Sequence, residues 1–259
     1  TVVTNWLDAR DLRVRIVYII TRSDTIGGAQ VHVRDLAWHL LQAGHDVTVL
    51  VGGKGPFTDE LAMRGIPYRS LAYLVRRMHP WIDMRGLLEL RQVLTDFQPH
   101  LVSAHSSKAG WLGRLAASSI GLPVLFTAHG WPFADGTPVL GRRFYAFAER
   151  IAASCADRII TVSEYDRCLA LRHRVAPAEK IVVIHNGMPD VDRTLFARPE
   201  VEPVRIVMVA RFEPQKDHAT LIRALAGLRD LAWELDLIGD GPLVDRVIYE
   251  VERRGLRKR

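Results

Sequence analysis

Short runs rich in β-branched residues alternate with stretches of helical period along almost the whole chain, and this alternation narrows the fold more than any other feature. A brief apolar run bounded by turn signals makes a strand buried on both faces. A helix after each such strand forces the parallel sheet with right-handed crossovers of an α/β protein. The strand signals are VRIVYII (14–20), DVTVLV (46–51), IPYRSL (66–71), HLVSAH (100–105), PVLFTAHG (123–130), DRIITVS (157–163) and KIVVIHNG (180–187). Helical patterns lie between them. The first puts Ala29, Val33, Leu36, Ala37 and Leu40 on one face and stops at Gly44. Others fall at 59–64, 84–97, 108–121, 141–156 and 164–175, giving about seven βα steps of a doubly wound sheet.

The segment 188–203 carries three prolines and no periodicity, so it predicts a break. The pattern then restarts: strand 204–210, loop, helix 218–230, strand 233–239, loop, helix 243–255. The expected fold class is α/β with two Rossmann-like, doubly wound parallel-sheet domains. The first spans 1–190, a linker 191–203, and the beginning of the second 204–259. Two βα units are too few for a stable domain of this kind, so the second domain is expected to be incomplete and the polypeptide truncated at its C-terminal end.

Composition fits a globular protein, with 48% hydrophobic and 25% charged residues. The net charge of +6 suits an anionic partner, whether a phosphorylated small molecule, nucleic acid or an acidic membrane surface. Cys155 and Cys168 show no CxxC spacing and fit reduced thiols of a cytoplasmic protein rather than a disulfide framework or zinc site. No apolar run approaches the ~20 residues that span a bilayer. The first fourteen residues, mixed polar and charged, carry no signal-peptide pattern.

Chemistry in such a sheet sits at the carboxyl ends of strands, so the loops there carry the candidates. IGGAQ (26–30) follows the first strand. Gly27 and Gly28 either make a tight βα turn or let a ligand approach helix N–H groups; the spacing is not the GxGxxG of dinucleotide binders. In TAHGWPF (127–133), His129 either is structural or meets a substrate hydroxyl. Ser106 and Ser107 in SAHSSKAG are expected to cap the next helix, Lys108 to be solvated, and Ser163 to be an N-cap. In ARFEPQKD (210–217), Arg211 leaves the strand and Lys216 opens the next helix. Two cations beside a helix N-terminus make a diphosphate site, against the plainer alternative of a solvated loop. IGDGP (238–242) adds Gly239 and Gly241, a second glycine turn on the same sheet edge and candidates for binding the same ligand. Finally, 68–86 mixes Arg69, Arg76, Arg77 and Arg85 with Tyr68, Tyr73 and Trp81, which suits an anionic membrane surface or a solvated region. No nucleic-acid-binding motif accompanies it, so nucleic acid is not expected as a partner.

Taken in order, IGGAQVHVRDLAWHLLQAGHDVTVL, SSKAGWLGRLAA, TAHG, ITVSE, VIHNGMP, ARFEPQKD and LIGDGP resemble the family 4 glycosyltransferases of GT-B fold, in particular the bacterial capsule, exopolysaccharide and O-antigen type. The resemblance runs from Val14 to Pro242. It implies an acceptor-side N-terminal domain and a nucleotide-sugar C-terminal domain, with the active site in the cleft between them. It also implies a retaining transfer from a nucleoside-diphosphate sugar to a glycan or lipid-linked acceptor, in an enzyme peripheral to the inner membrane face. By the same resemblance Arg211 and Lys216 match the pair on the donor diphosphate, Gly27 and Gly28 the loop near the donor sugar, and His129 the histidine near the transferred sugar. The acidic pair of the family, expected beyond IGDGP, is not in the sequence, so this chain by itself is expected to be inactive. No cofactor or metal is implied; DVD (190–192) falls in the linker segment. Two other functions stay open at this point. One is a nucleotide-sugar epimerase of the same fold, and the other a non-catalytic truncated transferase that docks to membrane or partners.

Overall fold

A computed structural model describes residues 13–134 and 137–258. The absence of a signal-peptide pattern concerns a segment of which 1–12 lie outside the described residues. The chain divides into two compact units, Thr1–Gly187 and Met188–Arg259.

The first unit is one seven-stranded parallel sheet. Its strands are β1 (Arg15–Ile20), β2 (Asp46–Gly52), β3 (Tyr68–Leu71), β4 (Leu101–His105), β5 (Val124–Ala128), β6 (Arg158–Thr161) and β7 (Ile181–Val183). They run in the order β3-β2-β1-β4-β5-β6-β7. The helices are α1 (Gly28–Gln42), α2 (Pro56–Met63), α3 (Pro80–Phe97), α4 (Ser107–Ser118), α5 (Val139–Ser154) and α6 (Glu164–Arg172). The lateral course of the strands reverses between β1 and β4, where ligands of open α/β sheets bind. Buried clusters lie against the sheet: Val17, Ile19, Leu90 and Leu112 with α3 and α4, and Tyr18, Ile20, Val33 and Phe57 with α1 and α2.

Local details depart from the sequence expectations. Leu36 is exposed, because α1 turns Val33 and Ala37 to the sheet and leaves Leu36 beyond the contact stripe. The third helix starts at Pro80 rather than near 84, since proline is well placed in a first turn, where its missing N–H costs nothing. Lys108 is not solvated: its side chain is 8% exposed and ion-paired with Asp83, and it donates to the Arg77 carbonyl. Ser106 occupies the cap position of α4 but makes no cap bond; its hydroxyl is taken by Thr21 Oγ1 at 2.8 Å. Ser163 does cap α6, accepting from the Asp166 N–H.

An ion pair the sequence did not announce ties α4 to α5. Arg114 and Glu149 are 0% and 3% exposed and meet at 2.8 Å. Arg114 Nε donates to the Gly110 carbonyl, and the guanidinium lies 3.9 Å from the centre of the Phe126 ring. Gly110 is what admits this stack, for a Cβ there would sit 2.3 Å from the Phe126 ring.

The second unit contains β8 (Val204–Val209), α7 (His218–Ala226), β9 (Trp233–Ile238) and α8 (Val244–Arg253), with β8 and β9 paired in parallel. Its core, including Phe212, Ile222, Leu225, Trp233 and Val247, fills one face of the sheet. The other face is open, with Val207, Val209 and Ile238 more than half exposed, so β8 is not the fully buried strand its apolar run suggests. No helix among the described residues is long and apolar enough to cross a membrane.

Candidate functional site

In the first unit, the residues of interest gather at the reversal between β1 and β4. The loops after these two strands are stitched together by the Thr21–Ser106 hydroxyl pair and by the Ala109 N–H, which donates to Thr21 Oγ1 at 3.0 Å. Ser106 holds φ of 67°, a left-handed value that a serine adopts only when its surroundings over-determine it.

Gly27 is the cap residue of α1 and has no side chain to offer, so the first N–H groups of the helix are left without the usual cap bond. The Gly27 N–H is itself taken by Gln30 Oε1 at 3.2 Å. A Cβ on Gly28 would meet nothing within 4 Å, so packing within the protein does not require glycine there. The helix entry is therefore bare and open, as an anion or sugar hydroxyl would need.

His129 follows β5. Gly130 turns the backbone at φ of 130°, and Trp131 anchors the loop by donating from Nε1 to the Asp166 carbonyl at 2.9 Å while stacking on Phe133. Two further histidines, not singled out from sequence, stand beside it. His105 ends β4 and is wholly buried; its Nδ1 lies 3.0 Å from His129 Nε2 and its Nε2 lies 3.0 Å from Ser103 Oγ. His32, one turn into α1, meets the His129 ring edge-on at 5.0 Å between centroids. A signal existed for His105: like His129 it is the histidine at the carboxyl end of a strand, and β4 and β5 are neighbours. His32 gave none, since helical spacing alone does not say which strand ends it faces.

Burial holds the His129 pKa down to about 4, with the His32 charge adding to the effect. Burial also pushes His105 well below the ordinary value and lowers His32, where Asp35 opposes it. All three rings are thus neutral at pH 7. An unfolded histidine takes its proton near pH 6.5, whereas the folded His129 takes it only near 4, so the unfolded state binds more protons across that window. Stability is expected to fall as pH drops through it, by roughly 3 kcal/mol from His129 alone. Urea unfolding of the protein and of His129→Gln at pH 7 and pH 4.5 checks this. Equal losses in both proteins would refute it.

The three histidines are the one group of three metal-capable side chains among the described residues, with ligand atoms within 4.8 Å of one another. His105 spends both nitrogens on protein partners, so an ion would have to displace the His105–His129 hydrogen bond. The geometry is that of a hydrogen-bonded series, not of lone pairs converging on a point.

In the second unit the candidates gather after β8. Arg211 is exposed and paired with Glu213 at 2.8 Å. Lys216 closes a short 3-10 turn, Pro214–Lys216, and is exposed, with no ion pair among the described residues. Asp217 caps α7 from a left-handed conformation, accepting from the Thr220 N–H. His218, also missed from sequence, is buried and stacks on Phe212 at 4.3 Å with neither ring nitrogen hydrogen-bonded. Gly239 and Gly241 have a structural reason of their own. A Cβ would sit 2.0 Å from the Ala210 carbonyl oxygen and 2.7 Å from that of Phe212, so both are needed to seat the loop after β9 against the loop that carries Arg211. The Phe212 N–H donates to the Asp240 carbonyl at 2.9 Å across this seam.

Comparison with known proteins bears on what these residues serve. The model of Glycosyltransferase Family 4 matches residues 26–191, more than half of the chain. The UDP-Gal:alpha-D-GlcNAc-diphosphoundecaprenol alpha-1,3-galactosyltransferase of Escherichia coli is 28% identical over 236 residues, covering 83% of this chain and 59% of its own length. Among solved structures, Anabaena Alr3699/HepE in complex with UDP and glucose superposes with a TM-score of 0.73 at 19% identity, over 95% of this chain and 68% of that one. The lipopolysaccharide outer core galactosyltransferase WaaB gives 0.67 at 19% identity, over 95% of this chain and 66% of that one. The chain therefore shares the fold of GT-B glycosyltransferases and spans about three-fifths of the length of its E. coli relative.

Proposed function

The chain belongs to Glycosyltransferase Family 4, and on that premise we propose that its protein moves a sugar from a nucleoside-diphosphate sugar to a lipid-linked glycan acceptor in cell-surface polysaccharide synthesis. The family match carries the reading, and the bare helix entry at Gly27 and Gly28 and the cations at Arg211 and Lys216 agree with it. The E. coli relative names a UDP-sugar donor and a diphosphoundecaprenol-linked acceptor, which supports that pair of substrate classes here.

Bond breaking at the anomeric carbon leaves negative charge on the departing phosphate and oxocarbenium character on the sugar. Lys216 and Arg211 stabilise that phosphate, doing the work a metal would otherwise do; in the first unit, the bare N-terminus of α1 at Gly27 and Gly28 offers its own partial positive charge to an anion or sugar hydroxyl. Arg211 gives up Glu213 to do so, at small cost, because an exposed pair is worth about 0.2–1 kcal/mol. His129, neutral at pH 7, hydrogen-bonds a hydroxyl of the transferred sugar. The family resemblance implies retention of configuration, and the route proposed for it is attack by the acceptor hydroxyl from the side the phosphate leaves, with its proton passing to that phosphate.

The acceptor is met at an anionic membrane surface. Met78, Trp81 and Met84 are more than half exposed beside exposed Arg76, Arg77 and Arg85, the mixture that lies in a lipid headgroup layer. The test supplies labelled UDP-sugars to the full-length gene product with undecaprenyl-diphosphate-linked GlcNAc in vesicles. Label is expected in lipid only when acceptor is present, and faster with phosphatidylglycerol than with phosphatidylcholine vesicles. Conversion of the sugar without acceptor would instead make the protein an epimerase, and equal rates in both vesicles would refute the membrane surface.

A further inference from the structure

We propose that Ser103 and His105 form a one-way hydrogen-bond relay that fixes the tautomer of His129, so that His129 presents its outer nitrogen, Nδ1, as a donor. The functional consequence rests on the placement of His129 at the transferred sugar given above; the relay itself rests on geometry alone.

The relay has two links. Ser103 Oγ lies 3.0 Å from His105 Nε2, and His105 Nδ1 lies 3.0 Å from His129 Nε2. His105 is 0% exposed, so neither of its nitrogens exchanges partners with water. Each link holds one proton, and a neutral imidazole donates from one nitrogen and accepts at the other. The direction chosen at Ser103 therefore propagates to His129.

Only one direction leaves the buried Ser103 hydroxyl hydrogen with an acceptor. If His105 donated from Nε2, the Ser103 hydroxyl hydrogen would have no acceptor among the described residues, in a strand position that is 6% exposed. A buried hydroxyl left in that state is destabilising. If Ser103 donates, its hydrogen goes to His105 Nε2 and the His105 Nδ1–H goes to His129 Nε2. His129 then carries its own proton on Nδ1. That nitrogen makes no hydrogen bond among the described residues and is not among the sealed, unpaired side-chain atoms, so it is available to a ligand. Burial keeps both rings neutral at pH 7, as the relay requires.

The relay makes His105 and Ser103 positioning residues. It also makes His129 a group that grips the oxygen of a sugar hydroxyl rather than one that removes its proton. An unconstrained neutral histidine in water favours the other tautomer, with the proton on Nε2, so the relay holds His129 in the less common form.

Long-range ¹H–¹⁵N correlation spectra of the ¹⁵N-labelled full-length gene product at pH 7, with no sugar present, report the tautomer of each imidazole. His129→Gln assigns the His129 signals. A protonated Nδ1 and an unprotonated Nε2 are expected for both His105 and His129. Ser103→Ala removes one oxygen, and its His129 signals are expected to move toward the Nε2–H form while the amide spectrum keeps its dispersion. An Nε2–H tautomer at His129 in the unaltered protein overturns the relay, as does a His129 spectrum that Ser103→Ala leaves unchanged. Since no donor or acceptor is used, the result is independent of the transfer assay. Absence of transfer with the expected tautomer sinks the function and leaves the relay, and the reverse pattern sinks the relay alone.

Discussion

Lys216→Ala in the full-length gene product is expected to lower kcat/KM for sugar transfer by about 10²–10³, the loss that follows removal of one group stabilising developing negative charge, with unfolding by urea unchanged. The fold does not depend on this residue: it is exposed, ends a short turn after β8, and has no ion pair among the described residues. An unpaired cation held beside the start of α7 is free to meet a phosphate. Arg211 differs, because it begins paired with Glu213 and must exchange one anion for another. The loss in Arg211→Ala is accordingly expected to be smaller than in Lys216→Ala. Glu213→Gln, by freeing Arg211, is expected to lower KM for the donor. Steady-state kinetics with the donor varied reads all three. Normal turnover in Lys216→Ala would remove the phosphate assignment from this loop.

The second large effect concerns stability. Glu149→Ala is expected to destabilise the protein by about 3–5 kcal/mol, since it leaves a buried guanidinium without its counter-charge. Arg114 is 0% exposed, and burial already pulls its pKa below the ordinary value while Glu149 opposes that pull. One of its terminal nitrogens, Nη1, has no hydrogen-bond partner, so the pair is imperfectly satisfied even when intact. Replacing both members with apolar residues of similar volume, Arg114→Met with Glu149→Leu, is therefore expected to cost far less than Glu149→Ala alone. Urea denaturation of the three proteins decides the matter. A double replacement as damaging as the single one would mean that the Arg114 stack on Phe126 and its bond to Gly110, rather than the ion pair, hold α4 against α5.

Much of the candidate site was legible as position in the sequence. Gly27, Gly28, His129, Arg211 and Lys216 each follow a strand, and in an α/β sheet that fact alone puts them on the ligand edge. What the loops do there was less legible. Ser106 and Lys108 look like a cap and a solvated cation because the local pattern S-S-K before a helix says so. Their true partners, Thr21 and Asp83, lie 85 and 25 residues away in sequence. Gly239 and Gly241 read as part of the ligand edge, and the structure gives them a packing reason that no local pattern shows: a Cβ at either would strike the Ala210 or Phe212 carbonyl.

By itself the sequence determined the number and type of elements of the first unit, because strand and helix periods are local and each is written in a window of a few residues. It also determined which loops lie at strand ends. Only the tertiary structure decided that His32, His105 and His129 meet. Their meeting depends on β1, β4 and β5 being neighbours and on α1 turning His32 toward them. Strand order is set by the packing of the whole sheet, and no local window contains it. The same long-range packing seals His105 from water, and burial lowers the pKa of all three histidines.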